Sequence, residues 1–99
     1  MARLTWSPEA IGDLESICDF IASDSEEYAR VFAQEVVSLI ETLHAHPRIG
    51  RVVPEYGEAN LRERLCQNYR VVYELVGSRS IEIVAIVHGA RDFKKLPRR

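Results

Sequence analysis

No apolar run in this sequence approaches the roughly 18 residues a bilayer-crossing helix needs, and nothing at its start reads as a signal peptide. The expected compartment is the cytoplasm, with no membrane partner. Cysteine is scarce: Cys18 and Cys66 stand apart, outside any CxxC pair, and His44, His46 and His88 complete no metal-ligand spacing. Both thiols are read as reduced small hydrophobes, and neither a metal nor a cofactor is expected. Repeats and low-complexity stretches are missing too, and 99 residues suit one domain over 1–99. An apolar share of 46% with 28% charged residues excludes disorder. A chain this short buries only about 60–65% of its unfolded surface, so its core is marginal and a bound partner adds useful stability.

What is present is an uneven distribution of charge. The formal net charge is −2, yet residues 1–46 carry two basic and nine acidic groups while residues 47–99 carry eleven basic and six acidic ones. The halves therefore stand at −7 and +5. The end of the chain holds Arg91, Lys94, Lys95, Arg98 and Arg99 against Asp92 alone. Such asymmetry implies an acidic partner for the C-terminal half.

Arg3–Trp6 is a short β-prone run, followed by Ser7 as N-cap, Pro8 at the first helical position and Glu9 at the positive end of the helix dipole. Ile11, Leu14, Ile17, Cys18 and Ile21 then recur at helical spacing. Ser25 starts a second helix, with Glu26 and Glu27 in its first turn and a stripe of Ala29, Phe32, Ala33, Val36, Ile40 and Leu43. Pro47 blocks its continuation, and His44 and His46 are read as surface residues offsetting the negative helix end. Two helices joined by about three residues must double back as a hairpin. Residues 49–61 read as a loop. Leu61–Cys66, Tyr69–Val76 and Ser80–Val87, rich in Val, Ile and Tyr, predict three antiparallel strands. The order is β-α-α-β-β-β, an α+β fold with the helical hairpin on one face of a small antiparallel sheet.

The last hairpin allows a prediction of register. A three-residue Gly77-Ser78-Arg79 loop sets Val76 opposite Ser80 and Arg70 opposite Ile86, placing Tyr69, Val71, Tyr73, Leu75, Ile81, Ile83, Ala85 and Val87 on one apolar face. A two-residue loop would mix Glu82 and His88 into that face. Burying eight apolar groups at roughly 1–3 kcal/mol each outweighs a turn preference of about 1 kcal/mol. Arg70, Glu74, Glu82 and His88 then share the opposite face as a polar strip, with Glu74 facing Glu82. Trp6 is read as a packing residue, and Tyr69 and Tyr73 as buried. Arg62 and Glu63 are read as pairing across strands, Glu55 as a loop cap, and Arg91 with Asp92 as a local ion pair worth at most about 1 kcal/mol.

Three ordered stretches carry a family resemblance. They are Leu4–Ala10 running into Asp13-Leu14 and Phe20–Ala22; His46–Glu55 followed by Leu61–Glu63 and Tyr69–Tyr73; and Ile83–Ile86 leading into Val87-His88-Gly89-Ala90-Arg91-Asp92. Together they resemble toxins of the bacterial ParE/RelE superfamily over nearly the whole chain, and the His-Gly-Ala-Arg-Asp ending is closer to the ParE branch. The resemblance implies a toxin held silent by a cognate ParD/RelB-like antitoxin, which usually carries the DNA-binding role, so direct specific DNA binding by this chain is not expected.

The superfamily offers two activities. RelE-like members cleave messenger RNA in the ribosomal A site; ParE-like members bind DNA gyrase and poison it. Cleavage needs a base for the 2′-hydroxyl, an acid for the leaving oxygen and cations for the phosphorane. Arg70 matches the strand arginine of the RNA-cleaving members, so Arg70, His88 and Arg91 are the catalytic candidates under that reading. Gly89 stands where some family nucleases place tyrosine, Phe93 has no proton to give, and the helices are acidic. A pI near 5.9 is low for a protein that must enter a polyanion. The favoured expectation is thus a gyrase-binding toxin with no catalytic group, its toxicity surface comprising Arg70, His88, Arg91, Lys94, Lys95, Arg98 and Arg99. A degenerate homologue that binds antitoxin and poisons nothing is the further alternative.

Overall fold

The computed structural model describes residues 2–89. In chain order it contains β1 (Arg3–Trp6), α1 (Pro8–Ala22), α2 (Glu26–Ala45), β2 (Arg51–Val52), β3 (Leu61–Cys66), β4 (Tyr69–Val76) and β5 (Ser80–His88). The strands form one sheet in the order β1-β5-β4-β3-β2. Strands β3 to β5 are antiparallel as expected and β2 adds antiparallel to β3, but β1 lies parallel to β5, so the sheet is mixed. Within the segment read as a loop, Arg51 and Val52 add a short edge strand, which periodicity could not reveal in two residues.

Both helix starts follow the expected chemistry. Ser7 Oγ accepts from the Ala10 amide at 3.0 Å with Pro8 in the first turn, and Ser25 Oγ accepts from the Tyr28 amide at 3.1 Å. Each cap is worth about 1 kcal/mol. The reversal between helices is closed by the Asp24 and Ser25 amides, which both donate to the Ile21 carbonyl. Helix α2 buries Ala29, Phe32, Val36, Ile40 and Leu43 against the sheet, as its stripe predicts. Helix α1 covers the core with Leu14, Ile17, Cys18 and Ile21 only partly buried, and Ile11 departs from expectation at 46% exposure. On the sheet side this core takes Cys66, Val71, Tyr73, Leu75, Ile81, Ile83 and Ile86.

The other sheet face is covered in part. A second cluster of Val53, Leu61, Val72 and Ala85 forms there, with Tyr56, Val84 and Val87 packed on it. The chain after β2 thus folds back across the sheet instead of leaving its face to solvent. Close approach beside β2 depends on Gly50, whose amide donates to the Tyr73 hydroxyl at 2.8 Å. A Cβ at Gly50 would stand 2.6 Å from that hydroxyl and 2.7 Å from the Glu63 carbonyl oxygen, so a larger residue forces the strands apart.

The last hairpin has the three-residue loop the register argument selects: Val76 faces Ser80, Glu74 faces Glu82, and Gly77 supplies the positive φ of 63°. Beyond Tyr73 the pairing slips by one. Tyr73 still faces Ile83, whereas Val72 faces Ala85, leaving Val84 as the extra residue of a β-bulge. Arg70 consequently faces Val87 rather than Ile86, Ile86 turns to the helical core, and Ala85 and Val87 turn to the opposite face. His88 comes opposite Tyr69, so it does not share a face with Arg70.

The bulge sits where β1 ends and α1 begins. There the Ser7 amide donates to the Ile83 carbonyl at 2.9 Å, Ser7 Oγ donates to the Val84 carbonyl at 3.1 Å, and Asp13 Oδ2 accepts from the Ile86 amide at 2.9 Å. Past Trp6 no strand among the described residues pairs with this edge of β5, and the start of α1 supplies partners there. Asp13→Ala removes the acceptor of a buried amide and should cost about 1–3 kcal/mol. Native-state hydrogen exchange of the Ile86 amide should accelerate in Asp13→Ala and stay near wild type in Asp13→Asn, which keeps an acceptor.

Candidate functional site

Arg70 projects from the middle strand onto the face away from the helices, and its residue is only 5% exposed. Alternation along β3 places Glu63 on the same face, 1% exposed, and the covering segment after β2 brings Glu55 over both. Arg70 Nη1 and Nη2 donate to Glu55 Oε2 and Oε1 at 2.8 and 2.9 Å, a bidentate pairing. Nη2 also donates to Glu63 Oε2 at 3.1 Å, and Nε stands 2.8 Å from Glu63 Oε1 as an ion-pair contact whose alignment falls short of a hydrogen bond. Arg51 Nε then donates to Glu63 Oε2 at 2.6 Å from the edge strand.

This is a four-charge cluster, two arginines against two carboxylates, and its burial is graded. The side chains of Glu63 and Arg70 are 0% and 6% exposed, while those of Glu55 and Arg51 are 42% and 59% exposed. The outer contacts lie in water and contribute little each. The inner Arg70–Glu63 contact is the costly one to break, because the survivor becomes an unpaired buried charge. Arg70 holds the Glu55 carboxyl below its ordinary range through their hydrogen bond, and the same bond raises the Arg70 guanidinium. A phosphate approaching Arg70 would have to displace carboxylates already bound to it.

His88 lies elsewhere. It is exposed at the end of β5, and its ring meets Tyr69 edge-on at 5.5 Å between centroids. Together with Asp13, Ser16, Ile17, Phe20, Ile86 and Val87 these two rings line a cleft of about 250 Å³ between α1 and β5. The sheet thus separates Arg70 from His88. Arg91, Lys94, Lys95, Arg98 and Arg99, and the expected Arg91–Asp92 pair, lie outside the described residues. Trp6 and Tyr69 pack partly buried on the core and Tyr73 is fully buried, as expected of them.

Sequence offers Glu63 as a cross-strand partner and Glu55 as a loop cap, but not the two as joint partners of Arg70. Glu63 pairs across strands as expected, with Arg51 and Arg70, whereas Arg62, on the opposite face of β3, donates to the carbonyls of Ala59, Arg48 and Gly50. The usable signal was Glu63 itself, an acid two positions from Leu61 and Leu65 on one side of a strand rich in arginine. His44 does more than offset a dipole: its Nδ1 lies 2.9 Å from the Ala2 carbonyl, while the Ala2 amide donates to the His44 carbonyl. Both thiols are free and pushed up by burial, which suits the inert packing role. No group of three or more metal-ligating side chains occurs among the described residues, and no helix there is long and apolar enough to cross a membrane.

Replacing Glu63 by Ala should lower stability by about 3–5 kcal/mol, read as a drop in the urea midpoint. Replacing Glu63 and Arg70 together by Leu and Met should recover most of that loss. The Glu55 contribution has its own pH signature. Because the folded carboxyl titrates below its ordinary value of about 4.3, its stabilisation is fully present above that pH and is lost as the pH falls through the lowered value. Urea midpoints of Glu55→Gln should therefore fall beneath those of the wild type above the ordinary carboxylate range and converge on them as the pH falls through the lowered value.

The family model of the ParE toxin of type II toxin-antitoxin systems, parDE, matches residues 4–93 of the chain. Toxin RelE2 of Caulobacter vibrioides is 31% identical over 91 residues, an alignment covering 92% of this chain and 99% of that protein. Among solved structures, a chain of the chromosomal ParDE TA system from P. aeruginosa matches with a TM-score of 0.72, covering 89% of this chain and 96% of that one. At 22% identity, that likeness speaks for the fold. Two helices on a five-stranded mixed sheet, with the family match running from β1 past the end of β5, place the chain in the ParE toxin family of type II toxin-antitoxin systems.

Proposed function

We propose that this chain is a toxin that binds and poisons DNA gyrase and is neutralised by a cognate ParD-like antitoxin in the cytoplasm. The observation that carries the reading is the state of Arg70. Its guanidinium meets Glu55 and Glu63 at 2.8–3.1 Å, so the cation that RNA cleavage would set on the phosphate is already engaged by carboxylates. A gyrase-binding toxin asks nothing catalytic of that residue. Arg70 then serves the toxic face by pinning the covering segment over the sheet. His88 and the basic residues Arg91, Lys94, Lys95, Arg98 and Arg99 are the proposed contacts, with an acidic antitoxin surface opposite them.

The resemblance to a protein named Toxin RelE2 favours a second reading, a ribosome-dependent endoribonuclease. There His88 would act as acid or base with Arg70 and Arg91 on the phosphate, and Arg70 would first have to exchange its carboxylates for the scissile group. The sheet between Arg70 and His88 weighs against their meeting on one substrate.

Pulse labelling after tightly controlled expression separates the readings. Thymidine incorporation should fall before methionine incorporation in the same culture. An earlier fall in methionine incorporation would replace this reading with the ribonuclease one. Unchanged incorporation of both would mark a homologue that binds antitoxin and poisons nothing.

A further inference from the structure

Where α2 stops, three arginines gather. Arg62 lies directly across from Tyr73 in the β3–β4 pairing, Arg64 follows two residues on along the same side of β3, and Arg48 sits in the turn after α2. Burial pushes the Tyr73 hydroxyl up, and all three cations, like the Gly50 amide, lie close enough to act against that rise. None of the three forms an ion pair among the described residues, where the pairs are Arg30–Glu27, Arg51–Glu63, Arg70–Glu55 and Arg70–Glu63.

Their roles differ. Arg62 is spent on structure: Nε donates to the Ala59 carbonyl at 2.8 Å, and Nη1 to the Arg48 and Gly50 carbonyls at 3.2 and 3.0 Å. That bonding fixes the turn carrying Arg48 and offsets the negative end of α2. Arg64 makes no such bond. Its Nη1 is out of contact with water and has no acceptor, although an arginine at the margin of a sheet is free to turn its head to solvent. A buried cationic donor lacking an acceptor, with an exposed cation on the turn bonded to the same strand, is a receptor for an anionic oxygen.

We propose that Arg64 and Arg48, on the scaffold of Arg62 and Gly50, receive a carboxylate from an acidic segment of a partner protein. The site goes beyond the question of which target the toxin poisons, since it lies apart from both Arg70 and His88. Charge complementarity selects the occupant. The half of the chain containing α2 stands at −7, and α2 itself carries Glu26, Glu27, Glu35 and Glu41. An extended polyanion tracking past the arginines would meet that acidic helix, whereas a single carboxylate entering from the turn does not.

The test is an NMR titration of the ¹⁵N-labelled full chain with acetyl-tetraglutamate amide, with the oligonucleotide dT10 as the competing polyanion. Tetraglutamate should move the Gly50 amide and the Arg62 and Arg64 Nε resonances saturably. Arg48→Gln and Arg64→Gln should each weaken that binding about tenfold. Arg64→Gln should leave the urea midpoint unchanged or higher, because it removes an unsatisfied donor. Arg48 is exposed, so its variant keeps the test valid if Arg64→Gln fails to fold. Absence of a saturable shift, shifts that persist undiminished in both variants, or tighter binding of dT10 at the same resonances would each overturn the proposal.

Discussion

The fully buried pairing of Arg70 with Glu63 constrains everything on the open side of this sheet. Two charges removed from water repay their desolvation only when further polar contacts satisfy what remains of them. Those contacts come from Glu55 and Arg51, and both residues belong to the stretch between α2 and β3. That stretch must therefore lie across the sheet, and once there it buries Val53 against Leu61, Val72 and Ala85. A segment that periodicity leaves unassigned thus acquires a fixed place from electrostatics first and apolar contact second. Gly50 lets it enter, since only a residue without a Cβ passes between the Tyr73 hydroxyl and the Glu63 carbonyl.

A second constraint, the bulge at Val84, decides which residues can work together. Without it Arg70 and His88 would share a face and make a plausible acid–cation pair for RNA. With it, His88 turns beside Tyr69 toward the helices while Arg70 stays beneath the covering segment. One inserted residue therefore sets Arg70 and His88 on opposite faces of the sheet. A toxin that acts by binding tolerates such separation; one that acts by acid–base chemistry on a single phosphate does not.

Much of the architecture was legible from residues. Ser7-Pro8-Glu9 and Ser25-Glu26-Glu27 marked both helix starts because capping is local chemistry. The apolar stripe of α2 and the three long strands followed from period alone, and the Gly77 loop followed from keeping eight apolar groups together. Less visible were features set by distant partners. The break in alternation at Val84-Ala85-Ile86-Val87 is a bulge signal in retrospect, but an uninterrupted apolar run reads equally as a buried strand. The parallel docking of β1 depends on the path of two helices, which no local pattern encodes. Arg70 was found as a candidate by its resemblance to family nucleases, yet its state rests on Glu55 and Glu63, 15 and 7 residues away in sequence. Spacing along the chain carries no trace of such a pairing.

A ParE-family chain with its strand arginine held by carboxylates should poison by binding rather than by cutting RNA. The most direct test places the purified chain, free of antitoxin, in two parallel reactions: gyrase with relaxed plasmid and ATP, and programmed ribosomes with a defined message. Loss of supercoiling with accumulation of linear plasmid is expected in the first, and an intact message in the second. Normal supercoiling together with a message cleaved in the A site would contradict poisoning by binding.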